Sequence, residues 1–228
     1  MLLSKRLESI LKIINDIRML ADIGTDHGYI PVEACERGLA DYAIATDISE
    51  SALKKAQTLI KGRAMGDRVR TLTCNGFDRL ESFNPDCAVV AGMGGLTIRD
   101  IIARDLSKSN VIKKLYKLIL APHRDVSSLR RELFSFNLNI ADEELIYEDG
   151  FFYNLLICDN KPVREYSDEE FAFGKTLLQR KDLTLYKYLI HLLEKNNRIL
   201  GEIPASSITR GEQLKRESDL AVRAIKRF

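Results

Sequence analysis

The chain predicts an α/β fold: a mostly parallel sheet covered by helices on both faces, with an antiparallel hairpin at one edge and a small all-α unit at the C-terminus. Three observations carry this reading. Short apolar strands alternate with helical stretches about five times, the pattern of a sheet buried on both sides. Two later strands, Ile140 to Tyr147 and Phe152 to Cys158, are separated only by a short break at Glu148-Asp149-Gly150. They cannot both be parallel, because a parallel crossover takes roughly a dozen residues or more. Beyond a linker at 161–166 only helical periodicity remains, so the predicted units are 1–160 and 161–228.

Taken in order, residues 4–17 set Leu7, Ile10, Leu11 and Ile14 on one stripe, an amphipathic helix before the first strand. Met19 to Ile23 is that strand. The helix over 29–38 tolerates Pro31 in its first turn and ends at Gly38. Tyr42 to Thr46 is the second strand, closing on Asp47. Ser49 is placed to cap a helix running to residue 62, with Ala52, Leu53, Ala56, Leu59 and Ile60 facing the core. The third strand, Val69 to Cys74, ends in Asn75-Gly76, and the fourth, Cys87 to Ala91, opens into Gly92-Met93-Gly94-Gly95. A helix over Leu96–Arg104 follows, then a strand, Leu118 to Ala121, stopped by Pro122. Leu129, Leu133 and Phe136 mark a further helix before the hairpin, where Tyr147, Phe151, Phe152 and Tyr153 read as core. In the tail, Leu177, Leu178, Leu185, Leu189, Leu192 and Leu193 are apolar positions of an antiparallel, coiled-coil-like pair, and Ser206 and Ser207 are placed to cap its last helix.

Composition narrows the classes. The 228 residues are 45% hydrophobic, enough for one good core and a small appendage, and the formal net charge is +2. Residues 161–228 hold 14 Lys/Arg against 10 Asp/Glu, so the tail is the basic part of a nearly neutral chain. Four cysteines without C-x-x-C spacing predict reduced thiols and a cytoplasmic protein. The first residues mix charges at helical spacing and carry no cleavage site, and no apolar run approaches the ~20 residues of a membrane span. His27, His123 and His191 lie far apart and no metal-ligand spacing occurs, so no metal is expected.

In open α/β sheets, ligands sit beyond the carboxyl ends of the strands. Those ends here are Asp22, Gly24, Thr25, Asp26 and His27, then Asp47, then Asn75-Gly76, then Gly92 to Gly95, then His123. Leu20-Ala-Asp-Ile-Gly-Thr-Asp-His-Gly-Tyr-Ile-Pro31 is a strand, a glycine turn and a helix start, which is how such folds seat an adenosine-containing cofactor. It departs from G-x-G-x-x-G. Asp47 stands where an acid accepts hydrogen bonds from both ribose hydroxyls, and Asn75-Gly76 where a turn brackets adenine. Three glycines among four residues at 92–95 suggest close approach of backbone to a ligand.

The glycine turn resembles the first motif of S-adenosylmethionine (SAM) methyltransferases, D-x-G-x-G-x-G, with Asp26 in place of the middle glycine. The hairpin edge likewise resembles the Rossmann-like SAM-methyltransferase sheet. Over nearly the whole chain the sequence is similar to the bacterial tRNA (adenine-22-N1)-methyltransferase family, most firmly at Ala21–Pro31, Ala91–Gly95, Leu118–Pro122 with Leu129-Arg130, and Glu143–Tyr153. It departs at Gly28, where alanine is expected, at Thr46-Asp47, where a Gly-Glu pair is common, and at Ala121-Pro122-His123, where a Gln-Pro-Asn type segment is expected.

The resemblance implies SAM as cofactor and tRNA as partner, with no membrane, metal or obligate protein partner. It assigns Asp22, Gly24, Thr25, His27, Asp47, Asn75, Gly76, Gly92, Met93, Gly94 and Gly95 to the cofactor. Asp26 is the candidate carboxylate beside the target ring and Tyr29 the candidate for stacking on or orienting it. Arg180, Lys181, Lys187, Lys195, Arg198, Lys215, Arg216 and Lys226 are candidate phosphate contacts. Three alternatives stay open: a SAM methyltransferase acting on another RNA, a protein or a small molecule; a nucleotide-dependent oxidoreductase; and an RNA-binding protein that does no chemistry.

Overall fold

The structure is a computed structural model that describes residues 3–204 and 207–228, so the proposed cap at Ser206 lies outside the described residues. In chain order the elements are α1 (Lys5–Ile13), β1 (Ile17–Ile23), α2 (Tyr29–Glu36), β2 (Ala40–Asp47), α3 (Glu50–Gly62), β3 (Val69–Thr73), β4 (Cys87–Met93), α4 (Gly95–Ser107), β5 (Lys117–Pro122), α5 (Val126–Ser135), β6 (Asn139–Glu148), β7 (Phe151–Asp159), α6 (Asp168–Phe173), α7 (Lys175–Gln179), α8 (Leu183–Glu202) and α9 (Ile208–Ile225).

One seven-stranded sheet runs β3-β2-β1-β4-β5-β7-β6. The first five are parallel, and β7 is antiparallel to both β5 and β6. Alternation along the central strands explains the two-sided cover. Ala88, Val90, Leu118 and Leu120 belong to a core on the α4–α5 side, with Ile98, Ile102, Leu129 and Leu133. Val89 and Ile119 belong to a second core on the α1–α2 side, with Ile10, Leu11, Ile30 and Val32. Each buried Val, Leu or Ile among these is worth about 1.5–3 kcal/mol of transfer free energy.

The first helix is shorter than its apolar stripe suggests. It starts at the Ser4 cap, which accepts from the Leu7 N–H, and ends at Ile13. Asp16 then takes a left-handed φ of 56°, and Ile17 already pairs with Ala40 of β2. Strand pairing outcompetes the last four residues of the expected helix.

The C-terminal helices share a third core with the sheet edge: Leu145 of β6 joins Phe173, Leu177, Leu185, Leu189, Ala221 and Ala224. Arg130 of α5, 1% exposed, ties the two regions together. It donates to Glu143 Oε1 at 2.6 Å, to the Phe171 and Ala172 carbonyls at 3.2 and 3.0 Å, and to Asn154 Oδ1 at 3.2 Å. The α8–α9 pair is antiparallel, with Tyr186 near Phe228 at one end. In its middle, buried Asn196 donates to Glu217 Oε2 at 2.9 Å. A lone buried amide of this kind fixes register between paired helices. The hairpin aromatics divide: Phe152 packs on Tyr188, whereas Tyr147 and Phe151 are exposed at the tip rather than in the core.

Candidate functional site

The order β2-β1-β4-β5 makes the carboxyl ends of β1 and β4 the point where the chain's crossovers part to opposite faces, which leaves a crevice there. The turn after β1 is pinned to β2, because the N–H groups of Gly24 and Thr25 both donate to the Thr46 carbonyl at 2.8 Å. Gly24 has φ +75°, and a Cβ there would lie 1.9 Å from Met93 Cε. Met93 thus closes the crevice between β4 and the turn, and its methyl group would have to move to admit any side chain at Gly24.

Two acids stand behind this turn. Asp22 is almost fully buried. Burial pushes its carboxyl up to about 6, against a hydrogen bond with Thr25 and reinforced by the negative charge of Asp47. Asp47 uses Oδ1 to accept from the Ser49 N–H at 2.7 Å. Among the described residues its other oxygen has no hydrogen-bond partner, as a ribose acceptor requires. Gly76 has φ +60° and rests against Ile101, while Asn75 beside it is exposed. Asp22, Gly24, Thr25, Asp47, Asn75 and Gly76 therefore lie along the ends of β1, β2 and β3.

Asp26, His27 and Tyr29 form a separate group toward α3. Lys55 Nζ lies 2.9 Å from Asp26 Oδ1 and holds that exposed carboxyl below its usual range. His27 Nε2 is 3.2 Å from Asp26 Oδ2, and its ring stacks on Tyr29 with centroids 5.4 Å apart.

The glycines after β4 have different reasons. Gly92 has φ +80°, with His123 Nε2 3.8 Å from where a Cβ would stand. At Gly95 the close approach is to the chain itself: a Cβ would meet Asp125 O at 2.7 Å and Arg124 O at 2.9 Å. Gly94 likewise lies under the Arg124 side chain. The backbone at Gly94 and Gly95 thus packs on the β5–α5 turn, which accounts for their lack of side chains without a ligand. Gly92 and Met93 are the members of this run that border the crevice.

On the far side of Gly92, sequence reasoning placed His123 at a strand end but missed Arg6 beside it. The His123 N–H donates to the Met93 carbonyl at 2.9 Å. Partial burial and the charge of Arg6 push its imidazole below the usual value, opposed by a hydrogen bond with the Gly92 backbone. The Arg6 guanidinium lies 5.2 Å from the Tyr153 ring centroid, and the Arg6 and Lys5 N–H groups donate to Glu148. Nothing about Arg6 in the sequence marks it, because its neighbours come from residues more than 100 positions away. Of the basic tail residues, Arg180 is spent on internal partners, Asp142, Asp182 and the Glu143 carbonyl. Lys187, Lys195, Arg198, Lys215, Arg216 and Lys226 are exposed. Among the described residues, no cluster of His, Cys, Asp and Glu could hold a metal ion, and no helix is long and apolar enough to cross a membrane. All four cysteines are buried and free, and burial pushes the Cys35 thiol up to about 11.

Comparison with known proteins fits this geometry. A family model described as a methyltransferase domain matches residues 3–156. A Mycoplasma pneumoniae protein named as a candidate tRNA methyltransferase is 34% identical over 178 residues, covering 76% of this chain and 79% of its own. The tRNA (adenine(22)-N(1))-methyltransferase of Bacillus subtilis is 29% identical over 157 residues, 69% of this chain and 65% of its own. Among solved structures, TrmK of M. capricolum in complex with S-adenosyl-homocysteine superposes with a TM-score of 0.87 at 27% identity, over 100% of this chain and 99% of that one.

Proposed function

Because this chain belongs to the methyltransferase-domain family, in its tRNA (adenine-22-N1) branch, we propose that its crevice seats SAM and its loops present N1 of adenine 22 of tRNA to it. The observation that carries the reading is the turn at Gly24, pinned to Thr46 and backed by buried Asp22, with a free Asp47 oxygen at the next strand end.

The residues present fit the cofactor. The crevice has glycine at 24, beneath Met93, and at 92, and acids for cationic and hydroxyl groups. Asp22 and Thr25 would hold its methionyl end, Asp47 the ribose, Asn75 and Gly76 the adenine, with Gly92 and Met93 bordering it and Gly94 and Gly95 setting the turn behind, while His27 stands with Asp26 and Tyr29. When bound, SAM supplies an electrophilic methyl group on a sulfonium leaving group.

The chain's own work is alignment and charge. Adenine N1 carries a lone pair at neutral pH, so no general base is needed and the gain comes from orientation. N1 lies on the pairing edge, so the target base must be unpaired or extruded. Positive charge grows on the adenine ring as the bond forms, and an ionised carboxylate nearby lowers that barrier. Asp26 is our candidate, kept ionised by Lys55, with Tyr29 as the stacking partner for the base. We assign residues 161–228 to gripping the tRNA through exposed Lys and Arg.

The test combines purified protein, labelled SAM and unmodified tRNA, then digestion to nucleosides and mass spectrometry. Label is expected in 1-methyladenosine, lost in Asp26→Ala while SAM binding is kept. Intact SAM binding with no transfer to tRNA would sink the tRNA reading. Full transfer by Asp26→Ala would remove Asp26 from the mechanism.

A further inference from the structure

A cavity of about 520 Å³ lies between the start of α5, the β6–β7 hairpin and the α8–α9 pair. We propose that it receives an unpaired nucleotide of the RNA substrate next to, but distinct from, the one that is methylated. The proposal rests on the tRNA reading above and adds a second nucleotide subsite to it.

The walls have the chemistry of a nucleotide pocket. Phe152 and Tyr188 line it as an aromatic pair, with centroids 5.2 Å apart. Asn154 lines it too, and Arg130 takes its Oδ1, which leaves the amide N–H groups to donate to a base edge. Toward the mouth stand Arg124, with a side chain 80% exposed, and Arg216 of α9. The rim also holds two carboxylates: Asp125 pairs with Arg124 at 3.6 Å, and Glu217 accepts from Asn196 at 2.9 Å, so the mouth is mixed in charge. The helix starting at Val126 has no side-chain cap, so its first N–H groups are donors at the rim. An aromatic interior with arginines and N–H donors at its mouth suits a base carrying its phosphate.

Position separates this nucleotide from the target. The cofactor crevice is at β1 and β4, whereas Phe152 stands on β7, the second strand beyond β4. At about 4.7–4.9 Å per strand, that is about 10 Å along the sheet. A base on Phe152 is too far away to accept the methyl group, and an unstacked strand can bridge the gap to a base that does. His123 lines the cavity and borders Gly92, so the two sites share an edge.

The experiment is a double-mutant cycle between protein and RNA. Dissociation constants are measured with the SAH-loaded full chain for tRNA and for tRNAs made abasic, one at a time, at nucleotides flanking adenine 22. Wild type is compared with Phe152→Leu and Arg124→Ala. Phe152→Leu is expected to weaken intact tRNA about tenfold, and to have almost no effect on the one abasic tRNA whose base fills the cavity. Arg124→Ala, at an exposed position, is expected to weaken all tRNAs alike and to lower the salt slope by about one. Additive effects at every flanking position, or an unchanged salt slope, would overturn the subsite. Methyl transfer is followed in parallel: an intact cycle without transfer faults the proposed reaction, and transfer without a cycle faults the subsite alone.

Discussion

Lowering the pH from 7 to 5 should weaken SAM binding about tenfold, through Asp22. In the free protein burial raises this carboxyl to about 6. A bound cation beside it favours the ionised form and returns it toward about 4, the ordinary carboxylate value. The protonated fraction in the free state is then small at pH 7 and about nine-tenths at pH 5, while the complex stays ionised. The ratio of the two is about 10, or about 1.4 kcal/mol. The sign is that affinity is full above the free-state value and is lost as pH falls through about 6. Calorimetric titration of SAM at pH 5, 6 and 7 checks it, with Asp22→Asn as the control that binds weakly and without pH dependence. A flat wild-type profile, or an equally sloped one in Asp22→Asn, would refute the argument. The same shift bears on folding with the opposite slope. A carboxyl raised in the folded state stabilises it only at low pH, so Asp22 costs the ligand-free protein up to about 3 kcal/mol above pH 6. Asp22→Asn should therefore raise the denaturation midpoint at pH 7 while impairing SAM binding.

Gly24→Ala should lower stability by at least about 1–2 kcal/mol, the penalty of a left-handed L-residue, and displace Met93; urea unfolding and SAM titration read the two effects. Arg130→Met should cost about 3–5 kcal/mol, because it strands Glu143 as a buried charge, and Arg130→Met with Glu143→Leu should recover most of it. Glu148→Ala removes the carboxylate that accepts from the first N–H groups of α1, and should cost about 1 kcal/mol, read as a shift in urea midpoint at unchanged slope.

The sheet was legible because each strand is a compact apolar run between turn residues, and because a two-residue break between β6 and β7 forces antiparallel pairing. The positions of the candidate site residues were legible for the same reason: topology puts strand ends together, so Asp22, Asp47 and Asn75 are read off the ends. What stayed hidden depends on side chains meeting across the fold. Lys55 on Asp26, Arg6 near His123 and Arg130 inside the edge core have no local signature. Arg130 would read as a surface charge on an amphipathic helix until Glu143 and the α6 carbonyls are seen around it. Gly95 shows the converse hazard: its lack of a side chain signals close approach, but only the structure shows that the approaching atoms are its own chain.

The placement of β7 between β5 and β6 also bears on how the protein is made. While a ribosome has not yet released Phe151–Asp159, β5 is a bare sheet edge carrying Leu118, Ile119, Leu120 and Ala121. Unpaired apolar edges of this kind recruit strands from other chains. The nascent protein thus passes through an aggregation-prone interval that closes only when the hairpin docks, and conditions that stall synthesis between residues 122 and 159 should deposit it in inclusion bodies.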